Sequence, residues 1–375
     1  MRAGVACSLS PISYDEEKSN PIIGSIHLHF ELCFEDGVTW LVRVRRENAK
    51  TPPPLVRDGM IKSEVATLQF LQHTKNLPTP IVYGYALEGD DDNEVGVGYI
   101  LMQKLPGTRL NWKSANQAQR SQVMAGLAEV YIALEQRSAV QMGSLNTPRR
   151  DDVGAFSLPE SSTIVRDRKR SLGPYSEVAN YYEEAVRHTL GLIAQKEKYN
   201  TQLLDAFLIH RFLLDLIPLL CPKDDKDLSF GDDFYLLHSE RLLQHILVDE
   251  HYNITGIIDW HRAQFVPGQA AFRSPVEMVD FESYMSGQPS ADEVMFADML
   301  EGMGHGRLSR CVRNGRLQHL FRLCWGTNIQ GWPDSLFSKL REAASVDFGL
   351  PWHEWKTVAM ERYAGEYGFE TVRYL

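Results

Sequence analysis

Apolar and polar positions alternate with a period of two from about residue 24 to residue 44. Gly24-Ser25-Ile26-His27-Leu28-His29-Phe30-Glu31-Leu32 and the run Val38 to Val44 flank the turn signal Glu35-Asp36-Gly37, which predicts an antiparallel hairpin beginning at a glycine. The period then lengthens. Apolar residues recur at helical spacing from Lys62 to Leu71, and Pro78 and Pro80 end that element. A short strand follows at Ile81 to Tyr85, and another at Val97 to Met102 after the polar loop Asp90-Asp91-Asp92-Asn93. Pro106-Gly107 marks a change of texture. Beyond it Val123, Leu127, Val130, Tyr131 and Leu134 share one face of a helix from Ser114, the expected cap, to about Gln136, and further helices are expected over 176–194 and 201–220. Residues 143–174, rich in Ser, Pro and Arg, read as a surface excursion. One strand-like interruption remains within the helical part. Tyr235-Leu236-Leu237 leads to His238, and Ile246-Leu247-Val248 pairs with Ile254 to Ile258 in a hairpin that closes on Asp259.

Composition narrows the partners. With 43% hydrophobic and 23% charged residues the chain is of the ordinary globular kind and long enough for a large core. Its net charge of −10, with no basic stripe, argues against nucleic acid and for a small-molecule partner. Five cysteines without short pairing suggest neither a zinc site nor a disulfide framework, so a reducing, cytoplasmic setting is expected. The N-terminal stretch lacks the apolar run of a signal peptide, and the apolar stretch Ala206 to Leu220 is broken by His210, Arg211 and Asp215, which argues against a membrane.

The segment FYLLHSERLLQHILVDEHYNITGIIDW, Phe234 to Trp260, has the layout of a kinase catalytic loop followed by its metal-binding aspartate. With GSIHLHFELCFEDGVTWLVRVRR, KSEVATLQFLQHTKNLPTPIVYGY, VGYILMQKLPG, SLGPYSEVANYYEEAV and ITGIIDWHRAQFVP, it makes the chain resemble the aminoglycoside phosphotransferase and choline-kinase-like family in its fungal form, over about Ile23 to Pro267. The resemblance implies an α+β, bilobal protein-kinase-like fold. A small antiparallel β-sheet N-lobe with one main helix would occupy 21–103 after an N-terminal extension over 1–20. A larger, mostly helical C-lobe would occupy 104–375, with the catalytic loop at 236–260.

It also implies roles. Gly24 and Ser25 would open the loop over nucleotide phosphates, Arg43 would take the place of the phosphate-binding lysine with Glu64 as its partner, and Gln103 to Leu105 would present backbone to adenine. Asp259 would hold a metal, Glu240 would stand at the general-base position, and His245 would replace a metal-binding asparagine. ATP with Mg or Mn is the implied cofactor. Glutamate in place of aspartate moves the carboxylate by roughly 1 to 1.5 Å, and a misplacement of about 1 Å can cost about a hundredfold in rate. Imidazole suits softer divalent metals, or proton transfer near neutral pH, better than it suits Mg.

Three readings follow. The leading one turns the pocket, with His238, Glu240, His245, Asp259 and His261, to acid/base chemistry such as cyclisation, dehydration or isomerisation in specialised metabolism, with no nucleotide required. The others are an ATP-dependent phosphotransferase acting on a hydroxyl of a small metabolite, and a non-catalytic pseudokinase that only binds. In the kinase layout His238 packs and bonds to backbone. His261 reads as solvated, and Tyr181, Tyr182, Trp325, Trp332, Trp352, Trp355 and Tyr363 read as helix-packing core.

Overall fold

The computed structural model describes residues 5–11, 26–47, 51–72, 74–159, 162–165, 168–199, 201–220, 230–238, 241–326 and 335–373. The chain forms two compact units, Met1–Pro174 with Phe234–Phe265, and Tyr175–Asp233 with Val266–Leu375.

The first unit is built on a five-stranded antiparallel sheet of β1 (Cys7–Pro11), β2 (His27–Phe34), β3 (Thr39–Arg45), β4 (Val82–Ala86) and β5 (Tyr99–Gln103), in the order β1-β2-β3-β5-β4. The hairpin read from the alternation is β2–β3, in the register His27 opposite Arg45 and His29 opposite Arg43. Side chains two apart on a strand share a face, so these four residues lie on the same side of the sheet. Helix α1 (Pro54–Leu71) covers that side. It begins with proline at its first position, where the missing N–H costs nothing, so it starts well before the periodicity shows it. Val65 on α1 packs with Ile100 and Met102 of β5, and Leu41, Ile61 and Val82 close the cluster. Each side chain buried there contributes about 1.5–3 kcal/mol.

After the sheet the chain makes β6 (Thr108–Arg109), then α2 (Gln117–Glu135). The cap of α2 is Asn116 rather than Ser114. Asn116 accepts from the Gln119 N–H and Gln119 returns a bond to the Asn116 N–H, a complete capping box, while the Ser114 hydroxyl bonds the Asn111 carbonyl. Residues 143–174 contain the paired β7 (Ser144–Leu145) and β8 (Val153–Gly154), the paired β9 (Ser162–Val165) and β10 (Arg168–Ser171), and the buried side chains of Leu145, Phe156 and Leu158. Strand β11 (Phe234–Leu237) leads to a 3-10 turn at Leu242–His245, and β12 (Ile246–Val248) and β13 (Ile254–Ile257) join β6 in a three-stranded sheet.

Gly107 is required at its turn. Its φ is +102°, and an added Cβ would lie 2.2 Å from Thr255 Oγ1 and 2.8 Å from the Val248 carbonyl oxygen. Gly107→Ala is expected to destabilise the first unit by about 1–3 kcal/mol, read as a lowered denaturant midpoint at unchanged slope. An unchanged midpoint would mean that the turn has another conformation.

The second unit is helical, comprising α3 (Val178–Ala194), α4 (Leu203–Asp215), α5 (Ile217–Leu220), α6 (Gly268–Ala271), α7 (Phe281–Ser286), α8 (Ala291–Gly302), α9 (Gly306–Arg313), α10 (Arg316–Gly326), α11 (Leu336–Ala343), α12 (Trp352–Arg362) and α13 (Phe369–Arg373). Phe212, Phe337 and Trp355 meet edge to face at its centre, the last two with centroids 4.6 Å apart. Trp325, Trp355 and Tyr363 are buried, in keeping with their reading as core. Among the described residues no helix is long and apolar enough to cross a membrane.

Candidate functional site

Arg43 is the node of the site. Strand β3 directs it toward α1, where it forms an ion pair with Glu64, and both side chains are 5% exposed. Its other terminal nitrogen, Nη2, donates to Asp259 Oδ1 at 2.5 Å and to His27 Nδ1 at 2.9 Å. Burial opposes the charge on Arg43, but Glu64 and Asp259 together raise its pKa further. The planar fork of arginine suits this task, since one guanidinium serves two carboxylates and an imidazole.

Asp259 follows β13 with a left-handed backbone, φ +68°. Its Oδ1 also accepts from His261 Nδ1 at 2.6 Å, and its Oδ2 lies 3.5 Å from His245 Nδ1. Burial would raise the carboxyl pKa. The charge of Arg43, the His261 hydrogen bond and the neighbouring imidazoles outweigh it and hold Asp259 well below the usual carboxylate range.

Burial keeps His27, His245 and His238 neutral. Burial, then Arg43, lowers His27 far below its ordinary value, and accepting from Arg43 at Nδ1 leaves its proton on Nε2. Burial likewise lowers His245 against the opposing pull of Asp259. His245 is positioned from several sides. Leu242 and Leu243 are buried, Arg109 Nε donates to the Gln244 carbonyl at 2.5 Å, and the Ile258 N–H donates to the His245 carbonyl at 2.9 Å. His238 is 3% exposed, packs edge-on against Trp260 with centroids 4.5 Å apart, and donates Nε2–H to the Ile258 carbonyl at 2.8 Å. Burial lowers its pKa to about 3, so it acts as a neutral brace between β11 and the end of β13.

The structure therefore brings Arg43, Glu64, His238, His245 and Asp259 together. Glu240, Gly24 and Ser25 lie outside the described residues. Gln103 ends β5, and its backbone N–H donates to the Ile81 carbonyl at 2.8 Å. Leu105 packs over Gly256 so closely that a Cβ there would lie 2.8 Å from Leu105 Cδ1. His261 is not solvated, because its side chain is only 8% exposed. Its hydrogen bond to Asp259, two residues away, turns it inward. His27 is a member that the sequence reading missed. The only available signal was the register, which places His27 and Arg43 on one face.

The set His27, Asp259 and His261 offers one donor atom each, all within 4.8 Å of one another. Two imidazoles and one carboxylate suit a softer divalent ion, whereas Mg prefers oxygen. Arg43 Nη2 already bonds both Asp259 and His27. Mg does not fit this donor set.

No family model matches the chain. Clavilactone A biosynthesis cluster protein Y of Ampulloclitocybe clavipes is 25% identical over 264 residues, 67% of this chain and 61% of that protein. A subtelomeric hrmA-associated cluster protein of Aspergillus fumigatus is 34% identical over 86 residues, 22% of this chain and 16% of that protein. The chain thus spans about six-tenths of the first relative's length and much less of the second's. Among solved structures, a protein of Thermobifida fusca assigned as a fructosamine-3-kinase superposes with a TM-score of 0.50 at 13% identity, covering 91% of this chain and 93% of that one. The aminoglycoside phosphotransferase APH(4)-Ia, in ternary complex with AMP-PNP and hygromycin B, has a TM-score of 0.46 at 15% identity, covering 96% and 95%. The Thermobifida fusca neighbour, together with the small antiparallel sheet and the helices described above, gives the chain the α+β kinase-like fold that its catalytic-loop layout led us to expect.

Proposed function

We propose that this chain is a small-molecule enzyme of specialised metabolism whose chemistry is proton transfer: cyclisation, dehydration or isomerisation. One observation carries the reading. The lone pairs of Asp259 face Arg43, His261 and His245, so this carboxylate, held ionised at neutral pH beside Arg43, is arranged to orient imidazoles. With Nδ1 toward Asp259, His245 has its Nε2 lone pair available, and its 20% exposure makes it reachable by a substrate. At 3.5 Å the two are not hydrogen-bonded, and closure of that contact on substrate binding would make the base-and-orienter pairing of a catalytic dyad. Glu240 is proposed as its partner for the second proton, and His238 as the brace beside His245. The biosynthesis-cluster relative supports the metabolic setting.

The second reading, phosphoryl transfer from ATP with Mg or Mn, is favoured by the buried Arg43–Glu64 pair, which is where such an enzyme holds its phosphate-binding cation. Incubation with a panel of hydroxylated and carbonyl-bearing metabolites, followed by mass spectrometry, separates the two. Turnover without nucleotide is expected, reduced about 10²- to 10⁴-fold in His245→Gln. Products heavier by a phosphoryl group, formed only with ATP, would overturn the proton-transfer reading. A thermal shift with MnATP or MgATP reports nucleotide binding independently, since binding to the folded state raises stability.

A further inference from the structure

Strands β2 and β3 alternate the other way round from an ordinary half-covered sheet. Such a sheet puts apolar side chains under its cover and polar ones toward water. Here the face under α1 carries His27, His29 and Glu31 of β2 with Arg43 and Arg45 of β3. The opposite face takes the intervening positions, Leu28, Phe30 and Leu32 on β2 and Val44, Val42 and Trp40 facing them on β3. The strands on either side continue it, β1 with Leu9 opposite Leu32 and β5 with Leu101 opposite Val42. No position of β1, β2, β3 or β5 on this face carries a charge.

Each of these apolar side chains is open to solvent at least in part, and Leu9 is 59% exposed. Trp40 stacks on Tyr83, itself 40% exposed, with centroids 4.2 Å apart. A continuous apolar face left in water is a surface for association. Its size sets what it can hold. One strand residue covers roughly 16 Å² of sheet, so the five strands present roughly 500 Å² in projection and more over the relief of the side chains. Two such faces bury roughly 1,000 Å² together, the size at which specific interfaces begin. Charge then decides the occupant. An unlike partner is ordinarily chosen by complementary charge, which this face lacks. A second copy brings the same uncharged face, so no like charges meet, and a two-fold axis forms every contact twice.

We propose that this face is a homodimer interface, in which two copies pack their sheets about 10 Å apart around a two-fold axis, as the layers of a β-sandwich do. Arg43 and its partners lie under α1 on the other side of the sheet, so pairing does not touch them. Association therefore stands apart from the proton-transfer reading, and no substrate enters its test.

Sedimentation velocity of the whole chain over about 1 to 100 μM tests this, since an interface at the lower size limit gives a dissociation constant in the micromolar range. The sedimenting mass is expected to rise with concentration from one chain to two. Val42→Lys sets an ammonium group at the middle of each face and is expected to weaken the dimer about 100-fold or more. Leu9→Lys, at the most exposed of these side chains, repeats the test where a charge costs the fold least. Val140→Lys, at an apolar side chain 67% exposed but off the sheet, is expected to leave the dimer unchanged. A chain that stays single over the whole range overturns the proposal, and its adsorption to phosphatidylcholine vesicles would assign the face to lipid instead. A dimer left intact by both Leu9→Lys and a folded Val42→Lys, or one disrupted by Val140→Lys alone, places the contact elsewhere and overturns it as well.

Discussion

Arg43→Met is expected to destabilise the first unit by about 3–5 kcal/mol at pH 7, measured as the shift in its denaturant midpoint. The reason is asymmetry. Replacing both partners of a buried ion pair with apolar groups can be neutral, but removing one leaves the other's charge uncompensated, and here a single guanidinium serves Glu64 and Asp259 together. Methionine fills much of the arginine stem's volume, so the loss reports charge more than cavity. The sign with pH is a second check. Carboxylates without a counter-charge shed their cost only by taking up protons, and burial raises their pKa once Arg43 is gone, so the gap between the variant and the unaltered chain should begin to narrow above the ordinary carboxylate range as the pH falls from 7. A gap independent of pH would mean that packing dominates. Arg43→Lys should recover part of the loss, because an ammonium retains the charge without the fork that reaches both acids.

Acidification is expected to weaken both units well above the pH at which their carboxylates titrate. Burial lowers His238 to about 3 in the first unit and His210 to about 4 in the second, where both ring nitrogens of His210 face carbonyls, Ala206 at 2.7 Å and Trp325 at 3.3 Å. Both values lie below the ordinary one near 6.5. As the pH falls through that value the unfolded chain takes up a proton that the folded chain refuses. Stability is therefore complete above it and declines by about 1.4 kcal/mol per pH unit for each histidine until the folded value is reached. By pH 4 His238 and His210 should each account for a loss on the order of 3 kcal/mol, and the lowered His27 and His245 add to the loss in the first unit. Asp259 acts in another window, since a depressed carboxyl stabilises above about pH 4 and its contribution is lost only as the pH falls toward its folded value. Urea midpoints between pH 7 and 4 test this. His210→Gln, which keeps a donor but no titration, should flatten the slope of the second unit by about 1.4 kcal/mol per pH unit. An unchanged slope would remove His210 as the cause.

The hairpin β2–β3, the strand β5 and the position of Asp259 were legible in the sequence because each is signalled locally, by alternation, by a turn dipeptide or by an apolar run ending in a charge. Strand β1 was not. Cys-Ser-Leu-Ser-Pro carries little strand signal of its own, and it is ordered by pairing with the edge of β2, with Leu9 opposite Leu32. The Asn116 cap was written in the sequence as Asn-x-x-Gln, but Ser114 offered a competing cap two residues earlier. At the site, the partnership of Arg43 with Glu64 was implied by the family resemblance. The joining of Arg43 to Asp259 spans 216 residues of sequence and His27 enters only through strand register, so neither leaves a mark that spacing can reveal.

The left-handed backbone at Asp259 decides how its role can be dissected. Among residues with a side chain, Asp and Asn tolerate positive φ best, whereas alanine there carries a steric penalty of its own. An alanine scan would thus fold a conformational cost into the apparent contribution of the carboxylate. Asp259→Asn removes the charge while keeping the backbone preference and one accepting oxygen. The difference between the asparagine and alanine variants measures what the turn itself contributes, and only the asparagine value belongs to the chemistry.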